Sequence, residues 1–145
     1  MIAIEAARES DFRAIAALLE ASHLPTVGLR ECLTHAIVAR DNGDVVGCAA
    51  LEMYPSGVLL RSVAVAERVR GGGVGQRLTD AALVLARGNR VPAAFLLTTT
   101  AAEFFPRFGF ERITRDEVPA DVRQSIEFTS ACPASATVMR VILRA

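Results

Sequence analysis

The chain has 145 residues, 52% of them apolar, which is enough for one domain with a real core and too little for two ordinary ones. Sixteen basic and sixteen acidic side chains cancel, so the basic excess that nucleic-acid or anionic-membrane binding requires is absent and neither is an expected partner. Three cysteines, Cys32, Cys48 and Cys132, are odd in number and far apart without a C-x-x-C pair; this argues against a disulfide framework or a structural zinc and predicts no metal and a reducing, cytoplasmic setting.

In chain order, Ile2 and Ile4 alternate as a first strand with Glu5 close behind, so neither an export leader nor a membrane span is expected. Ser10 then stands in N-cap position before Phe12, Ile15, Ala16 and Leu19, which recur at helical spacing and end before Pro25. Residues 28–35 predict a short second helix carrying Leu29, Cys32 and Leu33, and residues 36–39 a strand. Asp41-Asn42-Gly43-Asp44 between two apolar runs is a hairpin signal, because a primed turn needs positive φ where Asn and Gly tolerate it. The next strand runs from Val45 to about Met53, and after the turn Pro55-Ser56-Gly57 another covers residues 58–65.

That last strand feeds Arg70-Gly71-Gly72-Gly73-Val74-Gly75-Gln76, after which Leu78, Ala81, Ala82 and Leu85 form one apolar stripe on a helix that Gly88 closes. Residues 93–98 make a short buried strand, so a right-handed crossover should set strands 58–65 and 93–98 parallel and adjacent, with the glycine loop at their carboxyl ends. A short helix over 101–107, a strand opening at Gly109-Phe110, a helical stretch over 119–128 and a last strand over 136–143 complete the order. If exposed, that last strand offers an edge for a homodimer; otherwise the chain is a monomer.

The glycine loop carries the chemistry. Glycines allow backbone N–H groups to converge on one centre, and the helix that follows adds the positive end of its dipole, which suits an anionic phosphate. No Gly-Lys-Ser/Thr follows, and no G-x-G-x-x-G with an acidic residue about twenty positions on, so Walker and Rossmann readings fail. The bland reading is a surface turn between strand and helix.

Arg70, Gly73 and Gly75 match R-x-x-G-x-G after a strand ending in Ala64-Val65, and this pattern resembles the acetyl-CoA motif of the GNAT acetyltransferase superfamily. The element order is similar over nearly the full length, residues 1–145. The resemblance implies an α/β (α+β mixed-sheet) single-domain fold, with a central sheet of about six to seven strands flanked by helices. It implies acetyl-CoA as cosubstrate and a small-molecule amine acceptor, acetylated by direct attack without a covalent enzyme intermediate. In such proteins acetyl-CoA lies where the two strands splay apart. Carried over, Val63 and Val65 pair with the pantetheine, the Val65 N–H faces the thioester carbonyl, and the amides of Arg70, Gly71, Gly73, Val74, Gly75 and Gln76 hold the pyrophosphate.

Many members of the superfamily place a tyrosine four residues before a Gly-Phe pair to protonate the leaving sulfur; here Phe105 stands four before Gly109-Phe110, and the only tyrosine is Tyr54. Phe105, with Phe104, Phe108 and Phe110, reads as core with one ring bordering the pantetheine tunnel. A thiol of pKa about 8.5 is already a tolerable leaving group, and water can protonate it. The missing acid keeps open a non-catalytic acetyl-CoA sensor as an alternative, and a cysteine-based metalloid-binding module is a further one.

Arg61 lies four positions before Val65, on the same strand face by the period-two rule, and its fork suits a substrate carboxylate; a solvated charge is the competing reading. Glu52 is the candidate base, or equally a salt-bridge partner of Arg61. His35 is a candidate for the acceptor mouth. Thr98, Thr99 and Thr100 are hydroxyl candidates beside the thioester, and Thr100 is equally a candidate cap for the next helix. Leu60-Arg61-Ser62, Leu97-Thr98-Thr99-Thr100-Ala101, Glu127-Phe128 and Cys132-Pro133 are also similar to the subgroup of arsenic-resistance and amino-acid N-acetyltransferases. That likeness implies an acceptor that is an amino acid or a glutamate-analogue toxin.

Overall fold

The computed structural model describes residues 1–143. One mixed sheet of seven strands runs in the order β1-β2-β3-β4-β5-β7-β6, with β1 Ile2–Ala6, β2 Ala36–Asp41, β3 Asp44–Tyr54, β4 Gly57–Val65, β5 Ala93–Thr98, β6 Glu111–Ile113 and β7 Thr137–Ile142. Among the described residues two α-helices cover it, α1 Phe12–Ala21 and α2 Val74–Gly88. The helix α2 sets Val74, Leu78, Ala82 and Ala86 against Val58 and Leu60 of β4, whereas α1 sets Ile15 and Leu19 against Val38, Cys48 and Ala64 on the other face. The expected mixed sheet and crossover are both present, β4 and β5 running parallel.

The β2–β3 turn has Asn42 at φ 52° and Gly43 at φ 89°, the primed geometry expected of Asn-Gly. The cap of α1 differs from expectation. Ser10 is exposed within a 3-10 turn, and the carboxylate of Asp11 accepts from the Arg8 N–H at 2.8 Å while holding Arg40 at 2.8 and 3.0 Å. Asp11 holds the N-cap position of α1 without a side-chain bond to that helix, because Arg40 on β2 takes its carboxylate as a bidentate partner, which lowers its pKa. Residues 119–128 do not form one helix but a 3-10 turn, Val122–Gln124, and a π-helical turn, Glu127–Ala131. The last strand β7 is interior, paired with β5 on one side and β6 on the other, so the dimer edge expected of it is not there.

Two irregularities in β4 position the site. Its first residues lie against β5, paired as Val58 with Ala94 and Leu59 with Phe95; Gly57 permits this approach, since a Cβ there would stand 2.7 Å from the Ala93 carbonyl oxygen. No further β4–β5 pairs follow among the described residues, so the strands part beyond Leu59. Against β3 the register shifts between Cys48 paired with Ala64 and Ala50 paired with Arg61, one extra residue being accommodated at Ser62 with φ 61°.

Candidate active site

The parting of β4 and β5 opens a cavity of about 1250 Å³ that runs from the glycine loop, through the sheet, to the segment after α1. Strand alternation decides what faces it. The Ala66 N–H donates to Val46 O of β3 at 2.7 Å, so the polar groups of Val65 and Val63, one and three residues earlier, turn the other way, toward the vacated side of β4. A row of main-chain donors and acceptors is therefore offered where a β5 partner would have stood.

At the outer end of that row stands the loop 70–76. Gly71 and Gly73 have φ of 87° and 83°, and nothing lies within 4 Å of a Cβ built on either, so glycine is required there for backbone conformation rather than for space. Gly73 is the N-cap of α2 and supplies no side-chain cap; the first intrahelical bond runs from Arg77 N–H to Gly73 O at 3.0 Å. The N–H groups of Val74, Gly75 and Gln76 consequently point out of the helix with its positive dipole end behind them. An uncapped helix start with two left-handed glycines fits a diphosphate. Arg70 contributes main chain, since its side chain folds back to donate to Val65 O at 3.0 Å.

The bulge at Ser62 corrects the expected facing of Arg61. Val58 and Leu60 before it, and Val63 and Val65 after it, all pack on the α2 side, whereas Leu59 and Ala64 pack on the other side. The extra residue flips the alternation, so Arg61 points opposite to Val63 and Val65. Nor is it a solvated charge: its side chain has 0% exposure. Each of its three nitrogens is engaged, with Nε donating to Ser62 Oγ at 3.0 Å, Nη1 to Glu52 at 2.7 Å and Nη2 to the Val27 carbonyl at 2.7 Å. Glu127 approaches Nη2 at 3.6 Å.

The structure divides the remaining candidates. Arg61, Thr98, Thr99 and Phe105 border the large cavity, as do the loop residues 70, 71 and 73–76. Glu52 and His35 instead line a second cavity of about 610 Å³, with the Arg61–Glu52 pair standing between the two. Both oxygens of Glu52 are taken, one by Arg61 and one by the Tyr54 hydroxyl at 2.6 Å. Burial, with Glu52 as the next cause, pushes the Tyr54 phenol up to about 12. Thr98, not Thr100, caps the turn after β5, accepting from Ala101 N–H at 2.9 Å, while Thr99 is exposed at the rim. Phe105 is 6% exposed and packs edge-on against Phe104 and Phe110, so no hydroxyl stands at the position where a tyrosine was sought.

Sequence reasoning gave Glu127 no role in the site. It opens the π-helical turn, is 5% exposed and borders the large cavity beside Cys132, whose thiol donates to Oε1 at 3.4 Å. Burial raises the Glu127 carboxyl, and burial together with Glu127 pushes the Cys132 thiol up to about 12. Its sequence signal is a lone glutamate between apolar Ile126 and Phe128. Among the described residues no group of three His, Cys, Asp or Glu side chains is placed to share a metal ion, and no helix is long and apolar enough to cross a membrane.

The sheet thus opens between two parallel strands, with an uncapped glycine-led helix at its mouth. The chain belongs to the GNAT acetyltransferase family, whose domain profile matches residues 33–112. It is 30% identical over 132 residues to an amino-acid acetyltransferase of Neisseria meningitidis, a match covering 85% of this chain and 30% of that protein. An amino-acid acetyltransferase of Mycobacterium tuberculosis is 40% identical over 81 residues, covering 55% of this chain and 46% of its own length. The chain thus spans less than half of each of these two relatives. Among solved structures, N-acetylglutamate synthase of Neisseria gonorrhoeae, complexed with coenzyme A and N-acetyl-glutamate, aligns with a TM-score of 0.85 at 25% identity over 100% of this chain and 36% of that one. A Mycobacterium tuberculosis protein in complex with CoA aligns with a TM-score of 0.84 at 29% identity, covering 98% of this chain and 99% of that one.

Proposed function

We propose that this chain is an acetyl-CoA-dependent N-acetyltransferase of small amino-acid acceptors. The observation that carries the reading is the join of the β4–β5 opening to the uncapped start of α2 in one cavity. Acetyl-CoA supplies the activated acetyl thioester; the chain supplies its seat. The amides of Gly71, Gly73, Val74, Gly75 and Gln76 receive the diphosphate, and the free edge of β4 at Val63 and Val65 receives the pantetheine as a strand would be received.

With the diphosphate at the outer end, the thioester reaches the inner end of the row, next to the Ser62 bulge. This favours Val63 over Val65 as the oxyanion donor: Val65 is nearer the loop, and its carbonyl already holds Arg70. A preorganised main-chain donor of this kind is worth about 10²–10³ in rate. Direct attack by the acceptor amine is supported by Cys132, the one cysteine bordering this cavity among the described residues, because a thiol pushed up to about 12 is a poor nucleophile at neutral pH. With Phe105 where a hydroxyl was sought, the leaving thiolate takes its proton from the amine or from water.

The acceptor enters from the side of residues 22–27 and 131–133, where Arg61 ties down the Val27 carbonyl and so shapes the mouth. A substrate carboxylate reaches Arg61 only by displacing one of these oxygens. The names of the relatives support an amino-acid acceptor, and the likeness of residues 60–62, 97–101 and 132–133 to arsenic-resistance acetyltransferases extends the class to glutamate analogues bearing arsenic or phosphorus.

The test is calorimetry with acetyl-CoA and CoA, followed by thiol release across glutamate, other amino acids and such analogues. Saturable binding and turnover on at least one amino acid is the expected result. Absence of coenzyme binding overturns the reading, and tight binding without turnover on any acceptor converts it to a sensor, the reading that Phe105 favours.

A further inference from the structure

Two carboxylates flank the Arg61 guanidinium, and they differ in what remains open on them. Glu52 has one oxygen under the Tyr54 hydroxyl and the other under Arg61 Nη1, and it lines the smaller cavity. Glu127 borders the larger one. Its Oε1 accepts only the thiol of Cys132 at 3.4 Å, and its Oε2 stands 3.6 Å from Arg61 Nη2 and accepts no hydrogen bond from the described residues. A carboxylate 5% exposed whose Oε2 makes no hydrogen bond to the described residues, on the border of the large cavity, leaves an acceptor open to a donor that enters there.

Charge points the same way. One guanidinium between two carboxylates leaves an excess negative charge, which favours an ammonium group on the acceptor. We infer that Glu127 is the residue that meets the acceptor amine and removes its proton, in place of Glu52. This rests on the acetyl-transfer reading above. Glu127 Oε2 accepts a proton from the ammonium; the neutral amine attacks the thioester carbonyl, its C–N bond forming as the C–S bond breaks. The sulfur leaves with the electron pair and takes the remaining surplus amine proton, directly or through water, and Glu127 returns its own proton to solvent.

The groups facing Glu127 are Arg61 from β4, Cys132 beyond the π-helical turn, Glu52 from β3 and Cys32 from the 3-10 turn before β2. Burial, the largest cause, raises the carboxyl, which brings it nearer to the working pH of a base. Its protonation should therefore appear as an acidic limb in kcat/KM above the ordinary carboxylate range.

The experiment compares wild type, E127Q, E127D and E52Q for kcat/KM against pH, with coenzyme affinity measured by calorimetry. E127Q is expected to lose about 10²–10⁴ in kcat and the acidic limb with it, at unchanged coenzyme affinity. E127D should retain the limb at reduced rate, and E52Q should retain it displaced toward lower pH, because the negative charge of Glu52 is one of the causes that raise the Glu127 carboxyl. Wild-type turnover that E127Q matches, limb included, overturns the assignment while leaving acetyl transfer intact. A limb that disappears in E52Q and persists in E127Q returns the role to Glu52. Failure of the wild type to bind coenzyme removes the acetyl-transfer reading itself, and this assignment with it.

Discussion

Arg61 donates to Glu52 at 2.7 Å across neighbouring strands from a side chain without exposed surface, and the pair forms the wall between two cavities. Removing one member of a buried ion pair leaves the other uncompensated, which typically costs about 3–5 kcal/mol. Arg61→Ala should therefore destabilise the fold, lowering Tm by roughly 10 °C at a few degrees per kcal/mol, beyond any effect on acceptor KM. Thermal melts of R61A and R61A/E52Q check this. The double variant should recover part of the loss, and equal melting of R61A and wild type would refute the pairing.

Gly73 is left-handed at φ 83° with open space around it, so Gly73→Ala fits sterically yet strains the backbone by about 1–2 kcal/mol. The chain should still fold. Relaxation of that residue swings the N–H groups of Val74 to Gln76 off their common centre, and loss of one charge-assisted bond corresponds to about 10- to 100-fold in coenzyme affinity. Calorimetry with CoA reads this directly. Full affinity in G73A would show that the loop does not hold the diphosphate.

Stability should decline on the alkaline side. Burial pushes the thiol of Cys32 up to about 11 and those of Cys48 and Cys132 to about 12, against an ordinary value of 9.0. Between about pH 9 and 11 the unfolded chain has released protons that the folded chain still holds. The unfolded state then binds fewer protons, so unfolding free energy falls as pH rises, by at most about 1.4 kcal/mol per pH unit for each thiol. Denaturant midpoints from pH 8 to 10.5 should trace this fall. A flat profile would contradict the burial of these thiols.

The glycine loop was legible because its determinants are local: Gly71, Gly73 and the start of α2 need only themselves to set φ and leave N–H groups uncapped. The parallel pairing of β4 with β5 followed from the strand-helix-strand succession. The facing of Arg61 was not legible, since the period-two rule holds only in an unbroken ladder and nothing in Leu60-Arg61-Ser62-Val63 announces that Ser62 turns left-handed. Ser10 and Asp11 are both good caps in isolation; Arg40, twenty-nine residues beyond Asp11, takes the Asp11 carboxylate and leaves α1 without a side-chain cap. Glu127 escaped notice for the same reason, its burial depending on Arg61 from a distant strand. The helical pattern over 119–128 hides it further, because a π-helical turn has no periodicity of its own to read.

The single surplus residue at Ser62 gives β4 two independent jobs. On one side its main chain leaves polar groups free toward the large cavity, whichever side chains it carries; on the other, Arg61 ties together Glu52, Ser62 and the Val27 carbonyl. Under the proposed function, exchanges on the Arg61 side would alter the acceptor mouth while leaving the main-chain edge of β4 as it is, so that one half of the strand can vary independently of the other.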